Sequence, residues 1–219
     1  MRNQESLNKK TNRGKKSHLL LIGSLLVFIG AVVLSYNHLL ALRNQIFSDM
    51  LIAMYSDHNN KKTKEVKVPE VKNVTDKTVY KEEKIDYGKY LGVLSIPKIG
   101  LKRGFYNTDS RYNNIEYNVT LVKGSLMPDV VNGNLILMAH SGDAYISYFA
   151  YLYRLNIGDI ATVTYNGRDY KYSLVNKYDV VKNGKVRINR NYDRTTLTLI
   201  TCTKDDDSHQ TVYIFELVS

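Results

Sequence analysis

The sequence predicts a mostly β domain whose short strands close into a barrel of about eight strands, preceded by an N-terminal transmembrane helix. Strand-like segments follow one another through roughly the last 130 residues, and a closed barrel pairs the edges of that many short strands. Tyrosine is abundant and proline scarce, with 18 and 3 residues among 219. Such a balance favours strands over helices.

The N-terminal segment indicates a membrane anchor. Residues 1–17 hold six lysines and arginines against a single acid, and residues 19–36 carry no charge. An apolar run of about eighteen residues is near the minimum that spans a bilayer core. We therefore predict a cytoplasmic basic tail (1–17) and an uncleaved transmembrane signal anchor (18–38), because the cations keep their side in the cytoplasm. A cleaved signal peptide is the alternative, although no small-x-small cleavage pattern follows.

Residues 39–86 are expected to form a juxtamembrane helix and a polar spacer. Apolar residues recur at helical spacing from Leu39 to Tyr55, which predicts an amphipathic helix that extends the membrane helix or packs on the next domain. From Ser56 to Lys84 the composition is typical of an extended, solvated chain. The globular domain then occupies residues 87–219.

Within that domain the pattern predicts the positions of the strands. Strand-like runs occupy 91–97, 98–102, 134–139, 159–165, 168–175, 178–182, 196–201 and 211–218. The dipeptide Asn166-Gly167 separates two of these runs and predicts a tight hairpin. Residues 147–155 are expected to form a short helix, with Tyr148, Leu152 and Leu155 on one face.

The one cysteine of the chain, Cys202, directly follows the predicted strand 196–201. The acidic residues after it are expected to leave the sheet as a loop, so the thiol lies at a strand end. A single cysteine cannot form an intramolecular disulfide. It is therefore either a small buried apolar residue or a nucleophile, because an idle exposed thiol outside the cell would be oxidised.

A cysteine nucleophile needs a histidine that exchanges protons with the sulfur and the leaving amine. Of the five histidines, three belong to the anchor and spacer: His18, His38 and His58. His140 ends an apolar strand and precedes a Ser-Gly turn, as Cys202 ends its own strand. His209 lies in the acidic stretch, where a solvated role is the simpler interpretation. The pattern favours His140 as the partner of Cys202.

These segments resemble the sortase family, the membrane-anchored cysteine transpeptidases of Gram-positive bacteria. The similarity covers about residues 90–219 and rests on four motifs in the family's order: L-G-V-L-S-I-P-K-I-G at 91–100, A-H-S-G at 139–142, F-x-x-L-x-x-L-x-x-G-D at 149–159 and T-L-I-T-C at 198–202. It implies an eight-stranded, sortase-like closed β-barrel with one or two short helices. The motifs are nearest to the housekeeping and pilin-type classes, although the aspartate-proline-aromatic lid common in the pilin class has no counterpart here.

The resemblance also implies an activity and its partners. Cys202 would attack the Thr–Gly carbonyl of an L-P-x-T-G-like sorting signal on surface proteins or pilins, and an amine of a cell-wall precursor or pilin would resolve the thioacyl-enzyme. His140 would be the general acid and base, with Thr201, Ala139 and Ser141 binding substrate. The implied location is the cell membrane, single-pass, with the catalytic domain extracellular. No cofactor or metal is implied, although calcium at the Asp205–Asp207 triplet is an alternative to a solvated loop.

The chain departs from the family at one residue. Sortases carry an arginine on the last strand, whereas no arginine follows Cys202 here and Gln210 stands at that place. Gln210 can serve as a neutral oxyanion donor, and Arg194 or Lys204 could instead supply the missing charge. A third interpretation is a catalytically degenerate, membrane-anchored binding or assembly module.

Charge and motif order argue against other classes. The net charge of +10 comes half from residues 1–17, and no zinc-finger, RNA-binding or helix-turn-helix pattern accompanies it, so we predict no nucleic-acid partner. The basic remainder suits an anionic membrane or wall surface. Papain-like peptidases place cysteine before histidine, the reverse of the order here. The cluster of Tyr148, Tyr151 and Tyr153 either lines a substrate groove or belongs to the core.

Overall fold

The computed structural model describes residues 2–65 and 89–219. The chain divides into two compact units, Met1–Gln45 and Ile46–Ser219. Most of the polar spacer expected before the globular domain, residues 66–88, lies outside the described residues. The division of the chain into tail, anchor, spacer and barrel therefore stays a prediction.

The first unit is helical and belongs to α1, which spans Arg2–Glu65. The side chains of residues 20–36 are exposed although nearly all are apolar. Leu20–Asp57 is long and apolar enough to cross a membrane, judged by length and composition. A helix that is apolar all round is solvated by lipid rather than by water, which supports the anchor interpretation. The direction in which it crosses stays a prediction.

In the second unit, the end of α1 packs on the barrel. The apolar cluster at this contact contains four buried residues: Ile52 of α1, and Tyr90, Val93 and Tyr106 of the barrel domain. The Tyr55 hydroxyl lies 3.3 Å from the carbonyl oxygen of Leu91, at hydrogen-bonding distance. The amphipathic helix expected at Leu39–Tyr55 is thus helical, and it packs on the domain through Ser48, Ile52 and Tyr55. The extended conformation expected from Ser56 is wrong as far as Glu65, because lysine- and glutamate-rich sequence also propagates a helix well.

The barrel consists of one eight-stranded sheet. Its strands are β1 (Gly92–Ile96), β2 (Leu101–Phe105), β3 (Thr120–Leu121), β4 (Asn134–Met138), β5 (Ile160–Tyr165), β6 (Arg168–Val181), β7 (Thr196–Thr203) and β8 (Asp206–Leu217). Their order is β2-β1-β5-β6-β8-β7-β4-β3. A bridge between Phe105 and Val119 brings the two edges together, so the barrel is nearly closed. The predicted eight-stranded β-barrel is confirmed.

Alternation along the central strands decides which side chains face the core. Leu197, Leu199 and Phe215 are fully buried in the main cluster inside the barrel. Ile200 belongs instead to a second cluster on the outer face, packed against residues of the β6–β7 connection. Because successive side chains of a strand point to opposite faces, Cys202 shares the outer face with Ile200.

Two expectations about short segments are settled by local hydrogen bonds. The helix expected at residues 147–155 is wrong, since turns and a 3₁₀ turn at Leu152–Arg154 replace it. The Phe149 amide donates to the His140 carbonyl at 2.9 Å, which ties this segment to the end of β4 instead of to its own preceding turn. The Asn166-Gly167 hairpin is confirmed, with φ of 49° and 73° at its two turn residues.

Several strand boundaries differ from the expected ones. The run expected at 98–102 starts later, as β2, because Pro97–Ile99 forms a 3₁₀ turn, and β3 was not expected. The runs at 168–175 and 178–182 form one strand, β6, interrupted by a bulge between Leu174 and Asn176. The acidic stretch is a hairpin turn at Lys204 and Asp205 rather than a long loop, and β8 begins at Asp206. Acidic residues are tolerated here because this end of the β7–β8 pair is exposed to water on both faces.

Buried tyrosines give the barrel a predictable sensitivity to alkali. Burial, with a smaller effect of the Asp179 charge, raises the pKa of Tyr213 to about 12, and burial also raises the pKa of Tyr172. An unfolded tyrosine ionises near a pKa of about 10. As pH rises, the unfolded state therefore releases these protons before the folded state does. The free energy of unfolding keeps its full contribution from these tyrosines below about pH 10 and loses it as pH rises towards 12.

We expect the thermal unfolding midpoint to decline above about pH 10, in step with tyrosinate absorbance. Tyr172→Phe should flatten this decline, and it should cost little at neutral pH because the Tyr172 hydroxyl has no hydrogen-bond partner among the described residues. Coincident pH profiles for the variant and the native chain would rule out this origin of the alkaline loss.

Candidate active site

The parallel pairing of β4 with β7 carries His140 to the side of Cys202. The ladder joins Asn134 to Thr196 and continues to Met138 and Ile200. The same spacing persists beyond β4, because the Thr201 hydroxyl donates to the Ala139 carbonyl at 2.8 Å. One residue further, continuation of this spacing predicts His140 beside Cys202. Neighbours in a parallel ladder lie about 4.8 Å apart and share a face.

Two further contacts hold the backbones of this pair. The Ser141 hydroxyl donates to the Cys202 carbonyl at 2.6 Å. The His140 carbonyl accepts the Phe149 amide, as described above. Cys202 itself is half-buried, so the sulfur is held by the sheet and still open to a reactant. Ala139 and Thr201 are buried, which makes them supports for the site, while Thr201 and Ser141 also line the adjoining cavity.

The His140 imidazole faces a carboxylate that the sequence analysis did not select. Its Nε2 lies 3.6 Å from Oε1 of Glu116, whose side chain is exposed. Glu116 belongs to the irregular connection between β2 and β3. No periodic pattern or motif marks that segment, and only the fold brings it to the end of β4.

Gln210 lies on β8 directly across from Cys202 and, on its other side, pairs with Val180 of β6. Directly opposed residues of an antiparallel pair share a face, with Cβ atoms about 4.5–5.5 Å apart. The structure thus sets Gln210 opposite Cys202, and His140 follows β4, the neighbour of β7 on its other side. His209 points to the opposite face from Gln210 and lies 2.8 Å from the Asp206 carboxylate through Nδ1.

The cation beside the sulfur is Lys182, which the sequence analysis missed. Its Nζ lies 3.6 Å from Cys202 Sγ and donates to it. Of the two cations that the sequence suggested, Lys204 pairs with Asp205 at 2.8 Å, and Arg194 is exposed in the β6–β7 connection. Lys182 follows the end of β6 in an exposed turn, so no local pattern distinguishes it from other surface lysines.

A cavity of about 300 Å³ adjoins Cys202. Its polar wall is built by Asp179, whose carboxylate accepts hydrogen bonds from the Thr211 hydroxyl at 2.7 Å and from the Thr203 hydroxyl at 3.4 Å. Tyr153 also lines the cavity, as expected for a groove residue.

The other two residues of the tyrosine cluster take different places. Tyr148 packs partly against the barrel core, where burial raises its pKa, and Tyr151 is exposed. Only Tyr153 of the three therefore has the position of a groove residue, and the short helix that would have aligned them is absent from the described chain.

Two carboxylates of the aspartate triplet already have other partners. Asp205 pairs with Lys204, whereas hydrogen bonds from the Ser208 hydroxyl and amide, with a smaller contribution from His209, hold the pKa of Asp206 below its ordinary range. Within residues 2–65 and 89–219, no group of three or more histidine, cysteine or acidic side chains is arranged to hold a metal ion.

The fold and this site define a class of protein, a β-barrel with a thiol and an imidazole delivered by adjacent strands. The family model described as the Sortase domain matches residues 94–217, which is more than half of the chain. The protein belongs to the sortase family, a family of transpeptidases.

Solved sortase structures share this fold. Sortase C1 from Streptococcus agalactiae is 26% identical with a TM-score of 0.51, covering 59% of this chain and 68% of that one. A lid mutant of sortase A from Corynebacterium diphtheriae is 24% identical with a TM-score of 0.53, covering 59% and 70%. Sortase C from Streptococcus pneumoniae is 18% identical with a TM-score of 0.54, covering 69% and 82%. No curated protein matches the chain.

Proposed function

We propose that this protein is a membrane-anchored cysteine transpeptidase that transfers surface proteins or pilins to an amine. The observation that carries the proposal is the strand register, which pairs Cys202 with Gln210 of β8 and lays β4, the strand that His140 follows, beside β7. A half-buried thiol at the edge of a cavity can be reached by a peptide while the sheet fixes its position. The anchor, with the barrel outside the cell, would hold the site beside exported substrates.

In the first half-reaction, the Cys202 thiolate attacks the Thr–Gly carbonyl of an L-P-x-T-G-like signal. A C–S bond forms, and the carbonyl π electrons move onto oxygen. The tetrahedral intermediate then collapses, the C–N bond breaks, and the leaving glycine amine takes a proton from the His140 imidazolium. The product is a thioester between threonine and Cys202.

In the second half-reaction, a neutral amine attacks the thioester carbon and returns its proton to His140. The C–S bond breaks and the thiolate is regenerated, so no redox step or external cofactor is needed. A cell-wall precursor or a pilin lysine supplies the amine. Gln210, across from the sulfur, has an amide N–H suited to the oxyanion of both tetrahedral intermediates.

Substrate contacts follow from the lining of the cavity. Ser141 and Thr201 line its β4–β7 side with hydroxyl oxygens that can accept hydrogen bonds, since their protons are donated to the Cys202 and Ala139 carbonyls, and Tyr153 offers an apolar face. The sortase C of Streptococcus pneumoniae is described with pilin substrate specificity, which makes a pilin one candidate for the acyl donor. Calcium at the aspartate triplet has no such support, because Asp205 and Asp206 are engaged by Lys204 and Ser208.

The test uses the full-length chain in detergent micelles with a quenched library of L-P-x-T-G-like peptides. We expect mass spectrometry to detect a thioester adduct on Cys202, and added amines such as oligoglycine to convert it into a transpeptidation product. If Cys202 can be alkylated but no peptide gives an adduct, the binding-module alternative replaces the enzyme. If Cys202 resists alkylation in the folded protein, it is a structural residue and the mechanism fails.

A further inference from the structure

The position of Lys182 relative to the sulfur is fixed by three strands. Its amide donates to the Ser208 carbonyl at 2.8 Å, which continues the β6–β8 pairing one residue beyond β6. Val180, two residues earlier, pairs with Gln210, and Gln210 pairs with Cys202. Because alternate residues share a face, Lys182 and the Cys202 thiol lie on the same face of the sheet. The backbone of Lys182 is therefore held in place at the end of β6, and its side chain extends from there to the sulfur.

Other cations near the site are engaged elsewhere. Lys204 pairs with Asp205 at 2.8 Å, and Lys177 donates to the Leu155 carbonyl at 2.8 Å. Lys182 instead directs its ammonium at Cys202 Sγ, 3.6 Å away.

A positive charge beside the Cys202 sulfur stabilises the negative charge that develops during the reaction. Attack of a thiolate on a carbonyl moves negative charge from sulfur to the carbonyl oxygen, two bonds away, and a neutral amide stabilises that oxygen less than a cation does. Gln210 cannot supply the charge. An ammonium within 4 Å of the sulfur lies close enough to interact with the negative charge at both stages.

We propose that Lys182 is the catalytic cation of this protein: it stabilises the oxyanion at Cys202 from the residue that follows β6, with Gln210 as a neutral second donor. The inference rests on the proposed transpeptidase function. Lysine is a compact point charge on a flexible stem, so it can follow the charge from sulfur to oxygen. With Lys182 supplying the positive charge, position 210 on β8 can be the neutral Gln210.

The first experiment measures kinetics of the full-length chain in micelles with the best peptide from the library. Lys182→Met should lower kcat by about 10²–10³, the typical effect of losing one oxyanion donor, with a smaller change in KM. Lys182→Arg, which keeps the charge, should retain most of the activity. Lys185→Met removes an exposed lysine three residues further on, and it should stay within about twofold of the native rate because surface charges act weakly at a distance.

A charge-relocation variant separates the charge from the local packing. In Lys182→Met/Gln210→Arg the cation moves to the residue directly opposite Cys202. We expect it to recover at least about tenfold of the activity lost in Lys182→Met, since charged donors are about twice as strong as neutral ones. An unchanged kcat in Lys182→Met, or no recovery in the double variant, would overturn the inference.

A second readout needs no peptide substrate and so distinguishes the two proposals. The rates of Cys202 alkylation by anionic iodoacetate and neutral iodoacetamide are compared as a ratio. Lys182→Met should lower this ratio about fivefold or more, because a unit charge about 4 Å away attracts the anionic reagent selectively. If the native chain shows no turnover but Lys182→Met lowers the ratio, the transpeptidase proposal is refuted and the interaction of Lys182 with the thiol is supported. An unaltered ratio would refute the role of Lys182 even if the enzyme is active.

Discussion

Cys202→Ala is expected to abolish both the thioester adduct and transpeptidation. The methyl group offers no nucleophile, and the remaining groups cannot form a covalent intermediate, so the rate should fall by about 10⁴–10⁶. The measurement is quenched-peptide turnover together with intact-mass analysis of the full-length chain in micelles. The same sample should still bind the peptide, because the other residues that line the cavity are unchanged.

A change in folding would give the same loss, so the thermal unfolding midpoint of Cys202→Ala is its control. Cys202 is half-buried near the end of β7, and its backbone contact with Ser141 does not involve the side chain. The midpoint should therefore shift little. Cys202→Ser tests the same point more finely, since it keeps the shape but replaces the thiol with a much weaker nucleophile. Turnover in either variant at a tenth of the native rate or more would exclude Cys202 as the nucleophile.

The barrel was predictable because its strands carry local signals. Leu135 and Leu137 alternate on β4, Leu197 and Leu199 alternate on β7, and Asn166-Gly167 marks a hairpin whose geometry few other residue pairs adopt. The candidate pair Cys202 and His140 could be predicted from the sequence for a related reason. Each follows a strongly apolar strand, and such strands lie in the centre of a sheet, where their ends meet.

What the sequence could not supply depends on distant pairing. Lys182 becomes distinctive only when β6 pairs with β8 and β8 with β7, and no residue around it differs from an ordinary exposed turn. Glu116 lies in a connection without periodicity, yet it faces His140. The helix expected at 147–155 failed for the same reason, because the hydrogen bond from Phe149 to His140 overrides local helical preference.

His140→Ala should lower transpeptidation by about 10²–10⁴, the usual contribution of a positioned general acid and base. Without the imidazole, the departing glycine amine must leave without a proton and the incoming amine has no group to accept one. Added imidazole should restore part of the lost rate by entering the space of the missing ring. Such rescue identifies proton transfer, since a merely structural defect would not respond to a small base.

Glu116→Gln is the matched comparison, because it keeps the side-chain shape and removes the charge 3.6 Å from the His140 Nε2. The carboxylate is exposed, and exposed ion pairs contribute only about 0–1 kcal/mol, so the rate should fall no more than about fivefold. A near-native rate for His140→Ala would move the acid–base role to another group. An equal loss in both variants would instead show that the ring works only when the Glu116 charge orients it, and the carboxylate would then belong to the catalytic machinery with Cys202 and His140.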